Sequence, residues 1–241
     1  MNNTNRHTLY SIRVFLIITG IYLAALSLLV AFGGYHGSFL LINGNKTPWL
    51  DWPMFIITHL GDSMILASLL SLIFVRKKPD MVLTLIIVVI ITGVTGQVLK
   101  STLFEGWDRP LRVFNESEIV HTLDNYRLFH NSFPSGHSIT AMSAFTALVW
   151  CLRPRRIYQI IAAFIAIIIT YSRVYLGVHF PGDVLAGSLM GILLTLLILP
   201  FIHEWLTGIK YNSSFRIIVT IVAAVLLIAG TWFLRMYFPL I

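Results

Sequence analysis

Long apolar blocks separated by shorter polar segments run along the whole chain. The clearest blocks are Ile12–Phe32, Met54–Phe74, Met81–Leu99, Ser138–Leu152, Ile157–Tyr171, Val184–Ile202 and Ile217–Tyr237. A bilayer core about 30 Å thick needs roughly 20 apolar residues per helix, and these blocks lack the alternation of a barrel strand. The pattern predicts an all-α, polytopic bundle of seven transmembrane helices. Ser138–Leu152 and Ile157–Tyr171 reach spanning length only if each helix continues into the polar motif beside it.

The composition agrees with a membrane protein. Of 241 residues, 57% are hydrophobic and 11% are charged, and the mean hydropathy is +0.82, outside the range of an ordinary soluble domain. We detect no low-complexity tract, repeat or soluble domain, so we expect a single integral-membrane domain over residues 1–241. Outer loops are predicted at Gly33–Pro53, Lys100–Ser135 and His179–Asp183. The second of these is long enough to be functional.

Basic residues are concentrated at alternate ends of the predicted helices. They are Arg6, Arg13, Arg76, Lys77, Lys78, Arg153, Arg155, Arg156, Lys210 and Arg216. The positive-inside rule makes these segments cytoplasmic, which places the N-terminus inside and the C-terminus outside a bacterial-type inner membrane. These cytoplasmic segments explain the net charge of +7, which therefore does not indicate a nucleic-acid partner. A cleaved signal peptide is disfavoured because the first apolar run exceeds the usual 7–15 residues.

Three polar clusters fall at the predicted outer ends of helices. They are Lys100 with Asp108, Arg109 and Pro110; Phe133, Pro134, Ser135, Gly136 and His137; and Ser172, Arg173, His179 and Asp183. Each residue alone has an ordinary explanation, such as a helix cap or a basic residue at the membrane interface. Because all three clusters lie on one side of the membrane, we expect them to form a single site.

The cations in these clusters suit a phosphate group. Lys100, Arg109 and Arg173 provide positive charge, and guanidinium groups bind phosphate oxygens through paired hydrogen bonds. Ser135 and Gly136 lie where a loop enters a helix, so their backbone N–H groups can point at an anion. A phosphate bound near the membrane surface is therefore predicted.

The two histidines can supply the chemistry of phosphoryl transfer. His137 and His179 can change protonation near neutral pH, so one can act as nucleophile and the other as acid. Asp183 follows His179 by four residues and can hold one ring N–H, so that the other nitrogen faces phosphorus. A divalent metal is disfavoured because one carboxylate stands among three cations. We therefore expect no metal or other cofactor.

These motifs resemble the second and third signatures of the type 2 phosphatidic acid phosphatase superfamily, which also includes the vanadium-dependent haloperoxidases. The resemblance covers residues 100–183 and implies a six-helix phosphatase core, here with a seventh, C-terminal transmembrane helix. It implies that His179 attacks phosphorus, that Asp183 orients it and that His137 protonates the leaving oxygen. It also implies that the phosphate is bound, without a metal, by Lys100, Arg109, Ser135, Gly136 and Arg173.

The first signature departs from the family pattern. The family usually places six residues between the lysine and the Arg-Pro pair, whereas eight separate Lys100 from Arg109. Lys100 remains the best candidate because the only other lysine on the outer side, Lys46, lies in a different loop.

The sequence thus predicts a metal-independent lipid phosphatase that acts at the outer, periplasmic face through a phosphohistidine, with substrate entering sideways. Its substrate is a lipid phosphate monoester or a lipid diphosphate. Phosphatidylglycerophosphate, phosphatidate, undecaprenyl diphosphate and a phosphate on lipid A all remain open. A lipid-to-lipid phosphotransferase would use the same residues. A transporter or haem protein is disfavoured because it leaves the clustering unexplained. The sequence does not determine the oligomeric state.

Several other ionisable residues are left without an assigned role. His59, Asp62 and Ser63 lie in the second apolar block, and the sequence does not decide whether they line the site or lie near the interface. The outer loops also carry His36, His121, His130 and Glu116, and the histidines among these are predicted to be solvated.

Overall fold

A computed structural model of the chain describes residues 10–115, 118–123 and 126–237. Within these ranges the regular structure is entirely helical, which confirms the predicted all-α class. Arg6 of the first basic segment and Glu116 of the second outer loop lie outside the described residues.

The described residues form nine helices arranged in a bundle. In chain order they are α1 (Arg13–Asn43), α2 (Pro48–His59), α3 (Ser63–Phe74), α4 (Pro79–Thr102), α5 (Pro110–Val113), α6 (Gly136–Leu152), α7 (Arg156–Tyr175), α8 (Pro181–Thr207) and α9 (Ser213–Tyr237). We call the end at which α1, α4 and α7 finish the upper end. The opposite end, which holds the turns after α3, α6 and α8, is the lower end.

Length and hydropathy identify this protein as integral to a membrane. Among the described helices, α1, α4, α7, α8 and α9 are each long and apolar enough to span a bilayer, with mean hydropathies from 1.8 to 2.5. The α2–α3 pair forms a sixth candidate span, and α6 is a shorter apolar helix of 17 residues. Both short blocks continue into the polar motifs, since α6 begins at Gly136 and α7 ends at Tyr175. The total of seven spans remains a prediction.

The second predicted span, Met54–Phe74, is not one continuous helix. It is divided between α2 and α3, whose axes differ by 72°. Asp62 caps α3, because its Oδ1 accepts hydrogen bonds from the N–H groups of Met64 at 2.9 Å and Ile65 at 3.2 Å. A hydropathy profile gives the length of an apolar segment but not the direction of its helix axis, so it could not predict this bend. The role of Asp62 in this structure is therefore to cap the start of α3.

The prediction of a loop over Gly33–Pro53 is wrong, because most of this segment is helical. Helix α1 continues to Asn43 after one non-helical residue, Gly34, with φ 68° and ψ 172°. The continued part is held by packing: Phe39 is fully buried, and its ring centroid lies 5.3 Å from that of Phe180. The loop predicted over Lys100–Ser135 is largely confirmed, although it includes the short helix α5.

Helix α6 lies at the centre of the bundle and α9 at its edge. Twelve of the 17 residues of α6 are buried, many of them small, and the helix packs against α4, α7 and α8. Small residues let membrane helices approach closely. Helix α9 packs against α3 and is only 11% buried over its apolar stretch. Because α4, α7 and α8 all pack against α6, the upper ends of these four helices lie close together.

Candidate active site

His179 and Asp183 form a buried pair at the upper end, between α7 and α8. Nδ1 of His179 lies 3.2 Å from Oδ2 of Asp183, and the two residues are 1% and 0% exposed. Asp183 belongs to the first turn of α8, and His179 lies two residues before this helix. Because the carboxylate accepts the Nδ1 proton, the lone pair of the neutral ring resides on Nε2. Nε2 is therefore the nucleophilic atom that this geometry makes available.

Three further donors fix the Asp183 carboxylate. The Ser132 hydroxyl donates to Oδ2 at 2.5 Å, and the backbone N–H of Phe180 donates to the same oxygen at 2.9 Å. The Tyr35 hydroxyl, from α1, donates to Oδ1. The Tyr35 ring lies directly on Gly182, where any Cβ would overlap it. A carboxylate with this many partners cannot rotate freely, so it orients the His179 ring.

The turn that carries His179 depends on a glycine. The N–H groups of Val178 and His179 both donate to the carbonyl oxygen of Arg173, at 3.1 and 3.2 Å. Gly177 has a φ of +73°, and a Cβ at this position would overlap the carbonyl oxygen of His121. Glycine meets both requirements. The turn thus ties the position of His179 to that of Arg173.

Arg109 lies beside the nucleophilic nitrogen. Its Nη1 is 3.4 Å from Nε2 of His179 and donates to the carbonyl oxygen of Val178 at 3.1 Å. Its Nε donates to the carbonyl oxygen of His130 at 2.7 Å. These backbone acceptors hold the guanidinium against the His179 ring.

Burial and neighbouring cations set the protonation of this pair. Burial, followed by the positive charges of Arg109 and Arg173, holds the pKa of His179 well below its ordinary value. The imidazole is therefore neutral at neutral pH, as a nucleophile requires. Burial, followed by the charge of Arg173, lowers the pKa of Arg109 to about 10. Arg109 therefore remains a cation at neutral pH.

Arg173 is buried near the end of α7, with 1% of its surface exposed. Its Nη1 donates to Thr58 Oγ1 at 2.6 Å and to the Tyr126 hydroxyl at 2.5 Å. Within the part of the chain that the structure describes, its Nε has no hydrogen-bond partner. A buried, unpaired guanidinium N–H is costly, and a tetrahedral oxyanion would satisfy it.

Lys100 and His137 reach the same region from two other helices. Lys100 lies in the last turn of α4, where its charge interacts with those of Arg109, Asp183 and Arg173. His137 is the second residue of α6, and the charges of Arg173, Arg109 and Lys100 act on its ring. The structure thus brings the three predicted cations and the two predicted histidines together.

Ser135 makes two hydrogen bonds within the protein, so its N–H is not available to a bound phosphate. Its N–H donates to the carbonyl oxygen of Asp183 at 3.1 Å, and its Oγ accepts a hydrogen bond from Ser138 at 2.9 Å. The Ser135 N–H therefore joins the start of α6 to the start of α8. The N–H groups of Gly136 and His137 follow in the first turn of α6, where the helix supplies no partner. These two are the backbone donors best suited to an anion.

Sequence reasoning missed the residues that hold the predicted ones in place. They are Tyr35, Thr58, Tyr126 and Ser132. Only Ser132 had a local signal, because it lies three residues before the Ser135 motif. The others come from distant segments, and no spacing relates them to a histidine or an arginine.

The remaining polar residues have separate environments. His121 is not solvated as predicted, because its Nε2 lies 2.9 Å from Asp51 Oδ1 and its side chain is only 12% exposed. His130 is exposed as predicted and lies beside Asp108. The His59 ring packs edge-on against that of Tyr126. Because the Tyr126 hydroxyl accepts a hydrogen bond from Arg173, His59 lies beside a residue that holds Arg173.

The donor set of the site does not suit a metal ion. Across the described ranges, no group of three His, Cys, Asp or Glu residues is placed to hold one. The charged groups nearest His179, apart from Asp183, are cations, which would repel a metal. The arrangement instead suits an anion that receives several donated hydrogen bonds.

Comparison with known proteins gives a consistent result. A family model described as the PAP2 superfamily matches residues 81–207. This range contains every site residue predicted from the sequence, and it excludes Tyr35 and Thr58. Phosphatidylglycerophosphatase B of Bacillus subtilis (strain 168) is 36% identical over an alignment of 169 positions, and the match covers 65% of this chain and 77% of the relative.

Two other proteins extend the comparison. An undecaprenyl-diphosphatase of Sulfolobus acidocaldarius is 30% identical over 154 residues, which cover 64% of this chain and 71% of the relative. The crystal structure of LpxE from Aquifex aeolicus is similar with a TM-score of 0.59 and 32% sequence identity, and the match covers 67% of this chain and 92% of that one.

Proposed function

The chain belongs to the PAP2 superfamily, and we propose that it is a lipid phosphatase acting on a phosphate monoester or a diphosphate. One observation carries the proposal: a neutral, carboxylate-held His179 faces Arg109, and the buried Nε of Arg173 lacks a partner in the described residues. The names of two relatives specify phosphatidylglycerophosphate and undecaprenyl diphosphate as substrates. Both substrates present a terminal phosphate on a lipid.

In the first step, Nε2 of His179 attacks the phosphorus atom. A P–N bond forms and the P–O bond to the lipid breaks. Asp183 keeps its hydrogen bond to Nδ1–H and stabilises the positive charge that develops on the ring. His137 takes up a proton when the negatively charged phosphate binds among the cations, and it transfers this proton to the leaving oxygen. The products of this step are the dephosphorylated lipid and a phosphohistidine.

In the second step, water releases the phosphate. Neutral His137 accepts a proton from a water molecule, whose oxygen attacks phosphorus while the P–N bond breaks. His179 returns to its neutral form, and inorganic phosphate leaves. The proton that His137 gave to the lipid is thus replaced by one from water.

The cations stabilise negative charge during both steps. Lys100, Arg109 and Arg173 surround the position of the phosphoryl oxygens, and the N–H groups of Gly136 and His137 add backbone donors. Fixed donors in a site that excludes water are effective at stabilising charge in a phosphoryl transition state. Since these groups supply the positive charge, we propose that the enzyme needs no metal ion.

We further propose that the upper end faces the outside of a bacterial-type inner membrane, with the N-terminus in the cytoplasm. The turns and helix starts at the lower end hold the basic residues Arg76, Lys77, Lys78, Arg153, Arg155, Arg156, Lys210 and Arg216. Two of these turns meet, because Arg216 Nη1 donates to the carbonyl oxygen of Arg76 at 2.9 Å. Such a concentration of positive charge is typical of the cytoplasmic side.

A phosphate-release assay tests the activity. Purified protein in detergent would be given phosphatidylglycerophosphate, phosphatidate, undecaprenyl diphosphate and lipid A, each with and without a chelator. We expect release from at least one lipid, unaffected by the chelator and abolished in His179→Ala. His203→Ala, at the lower end, is the matched control and should keep its activity. Release that disappears with the chelator would contradict the metal-independent mechanism.

Trapping the intermediate tests the mechanism. With substrate carrying a radiolabelled terminal phosphate, rapid quenching should leave an acid-labile label on the protein, and His179→Ala should carry none. The absence of label on an active enzyme would contradict a phosphohistidine. Analysis of the lipid products in the same reaction distinguishes hydrolysis from transfer, because a phosphotransferase would yield a second phosphorylated lipid instead of free phosphate.

A further inference from the structure

Asn43, the last residue of α1, is buried against the end of α7, with 1% of its surface exposed. Its side-chain amide donates hydrogen bonds to the carbonyl oxygens of Val174 at 3.1 Å and Tyr175 at 2.9 Å. Both carbonyls belong to the last turn of α7. A buried amide with several hydrogen bonds is held in one orientation, so Asn43 joins the upper end of α1 to the upper end of α7.

The same side chain binds the backbone of the connection between α5 and α6. Oδ1 of Asn43 accepts a hydrogen bond from the His121 N–H at 2.7 Å, and Nδ2 donates to the His121 carbonyl oxygen at 2.9 Å. That carbonyl oxygen lies against Gly177, where a Cβ would overlap it. Gly177 belongs to the turn between Arg173 and His179, so Asn43 holds the segment that packs on this turn.

Asn43 also supplies hydrogen bonds that α7 cannot make within itself. The last four carbonyl oxygens of a helix have no partner inside it. The chain after α7 donates N–H groups to the carbonyl oxygens of Ser172, Arg173 and Val174. The carbonyl oxygen of Tyr175 instead accepts from Asn43, which donates to Val174 as well. The last turn of α7, which carries Arg173, therefore depends on Asn43 for its final hydrogen bond.

A carboxylate of α2 holds the same two residues, Tyr175 and His121. Asp51 Oδ1 accepts a hydrogen bond from the Tyr175 hydroxyl at 2.6 Å and lies 2.9 Å from Nε2 of His121. The side chains of Asp51 and His121 are 19% and 12% exposed. Asn43 therefore fixes backbone atoms of Tyr175 and His121, while Asp51 fixes their side chains. Because of this second contact, a change at Asn43 should loosen the end of α7 without unfolding it.

We propose that Asn43 is a positioning residue, which sets the distance between His179 and Arg173 and so between the nucleophile and the bound phosphate. The proposal rests on the lipid phosphatase function proposed above. The Arg173 guanidinium is anchored separately by Thr58 and Tyr126. A loosened end of α7 would therefore displace the turn that carries His179 relative to this cation, and the two groups would not move together.

Such a displacement should slow the attack on phosphorus more than it weakens substrate binding. Attack by Nε2 of His179 requires the phosphorus atom at about 3–3.5 Å and in the correct direction, and a misplacement of about 1 Å can lower the rate about 100-fold. Binding of the phosphate depends instead on several cations, and Lys100 and Arg109 come from α4 and the segment after it. Loss of the Asn43 amide should therefore lower kcat and leave KM nearly unchanged.

Two variants of Asn43 test this proposal by steady-state kinetics. Asn43→Asp keeps the shape of the side chain and removes both N–H donors, whereas Asn43→Ser adds no charge and keeps one hydroxyl donor. We expect kcat to fall about 30-fold in Asn43→Asp and about fivefold in Asn43→Ser, with KM within about twofold of wild type in both. The matched control is Asn45→Asp, because exposed Asn45 donates to the carbonyl oxygen of Leu41 within its own segment. It should keep both wild-type constants.

Anion binding gives a readout that does not depend on turnover. Orthovanadate accepts a histidine nitrogen as a fifth ligand, so it resembles the transition state and its affinity depends on the position of His179. Inorganic phosphate is bound by the cations without this bond. By isothermal titration calorimetry in detergent, we expect the Kd for vanadate to rise about tenfold in Asn43→Asp and about fivefold in Asn43→Ser, and the Kd for phosphate to change less than about twofold. Partial unfolding would instead lower the number of binding sites and leave both Kd values unchanged.

Two results would overturn the proposal. One is a wild-type kcat in both Asn43 variants, and the other is an affinity for vanadate that falls no more than the affinity for phosphate. If wild-type protein hydrolyses none of the four lipids named above, the proposed function fails, whereas the two titrations still decide whether Asn43 positions His179. A wild-type protein that binds neither anion would contradict both proposals.

Discussion

Tyr35 donates a hydrogen bond to the carboxylate of Asp183, which lies 148 residues later in the chain. The carboxylate in turn holds His179. Tyr35 belongs to α1, outside residues 81–207 that match the family model. The alignment of the proposed nucleophile is therefore shared between the matched region and the helix that precedes it.

Removal of the Tyr35 hydroxyl should slow catalysis without abolishing it. In Tyr35→Phe the ring can still lie on Gly182, and Ser132 and the Phe180 N–H still hold Asp183. A hydrogen bond to a charged group contributes about 1.5–3 kcal/mol, so with two donors left we expect kcat to fall about tenfold. KM should change little, because Tyr35 does not reach the phosphate site. Initial rates over a range of lipid concentrations give both constants.

The control for this change is Tyr158→Phe. Tyr158 is 59% exposed at the lower end of α7, so its hydroxyl should be irrelevant to turnover. A Tyr35→Phe enzyme with the kcat of wild type, or with a raised KM and an unchanged kcat, would show that Tyr35 does not position the nucleophile.

Substrate binding should depend on the two side chains that hold Arg173. Thr58→Val and Tyr126→Phe each remove one acceptor of Nη1 and keep the shape of the side chain. The guanidinium is then less fixed, and we expect KM to rise about fivefold in each variant, since one hydrogen bond contributes about 1 kcal/mol. The change in kcat should be smaller. Steady-state kinetics with one lipid phosphate would measure both effects.

Thr95→Val serves as the control for these variants. Thr95 is partly exposed on α4, and its hydroxyl donates to the carbonyl oxygen of Ile91 in the same helix. Unchanged KM values in both Thr58→Val and Tyr126→Phe would mean that these contacts do not matter for phosphate binding.

The pH dependence of the reaction should reveal the charge of Arg109. The folded protein holds the pKa of His179 below its ordinary value, first by burial and next by Arg109. The nucleophile is neutral above that pKa, so kcat/KM should persist into mildly acidic solution and fall only at lower pH. In Arg109→Gln this pKa should rise towards its ordinary value, which moves the acidic limb of the profile to higher pH.

Exposed Arg112, in α5, provides the matched comparison. Arg112→Gln should leave the acidic limb where it is in wild type. If the limb in Arg109→Gln stays in place or moves to lower pH, the guanidinium does not control the protonation of His179.

A side chain at Gly177 should damage both stability and activity. In Gly177→Ala the residue would have to keep a φ of +73° and overlap the carbonyl oxygen of His121. A left-handed conformation costs about 1–2 kcal/mol for a residue with a Cβ. We therefore expect a lower thermal unfolding midpoint in detergent and loss of most phosphatase activity.

Gly20→Ala separates this effect from a general intolerance of alanine, because a Cβ at Gly20 meets nothing within 4 Å. It should unfold at or above the wild-type temperature, since alanine favours helices over glycine. Equal unfolding midpoints for Gly177→Ala and wild type would show that the turn tolerates a side chain.

Patterns within short segments predicted much of this protein. Apolar length indicated the helices, and the clusters around Ser135 and His179 indicated where the polar groups converge. Both signals are local, because a helix and its terminal motif occupy one stretch of chain. The extension of α6 and α7 into their polar motifs could also be predicted, because the apolar parts of these two helices are too short to span a membrane.

Features that depend on contacts between distant segments could not be predicted in this way. At the bend between α2 and α3, Gly61 lies against Ile169 and His137, which come from distant segments of the chain. The roles of Tyr35 and Thr58 arise from helix packing across the bundle. Helix α1 continues beyond Gly34 because Phe39 is buried there. A hydropathy average does not reveal this burial, because it combines Phe39 with the polar residues around it.

The hydrogen bond from the Ser135 N–H to the carbonyl oxygen of Asp183 has a consequence for how such an enzyme can diversify. It clamps together the two helix starts that carry the proposed acid and the proposed nucleophile, independently of the long connection between α5 and α6. The parts of that connection that do not contact the site can therefore change in length and composition, and adapt to new head groups, as long as Tyr126, His130 and Ser132 keep their contacts with Arg173, Arg109 and Asp183.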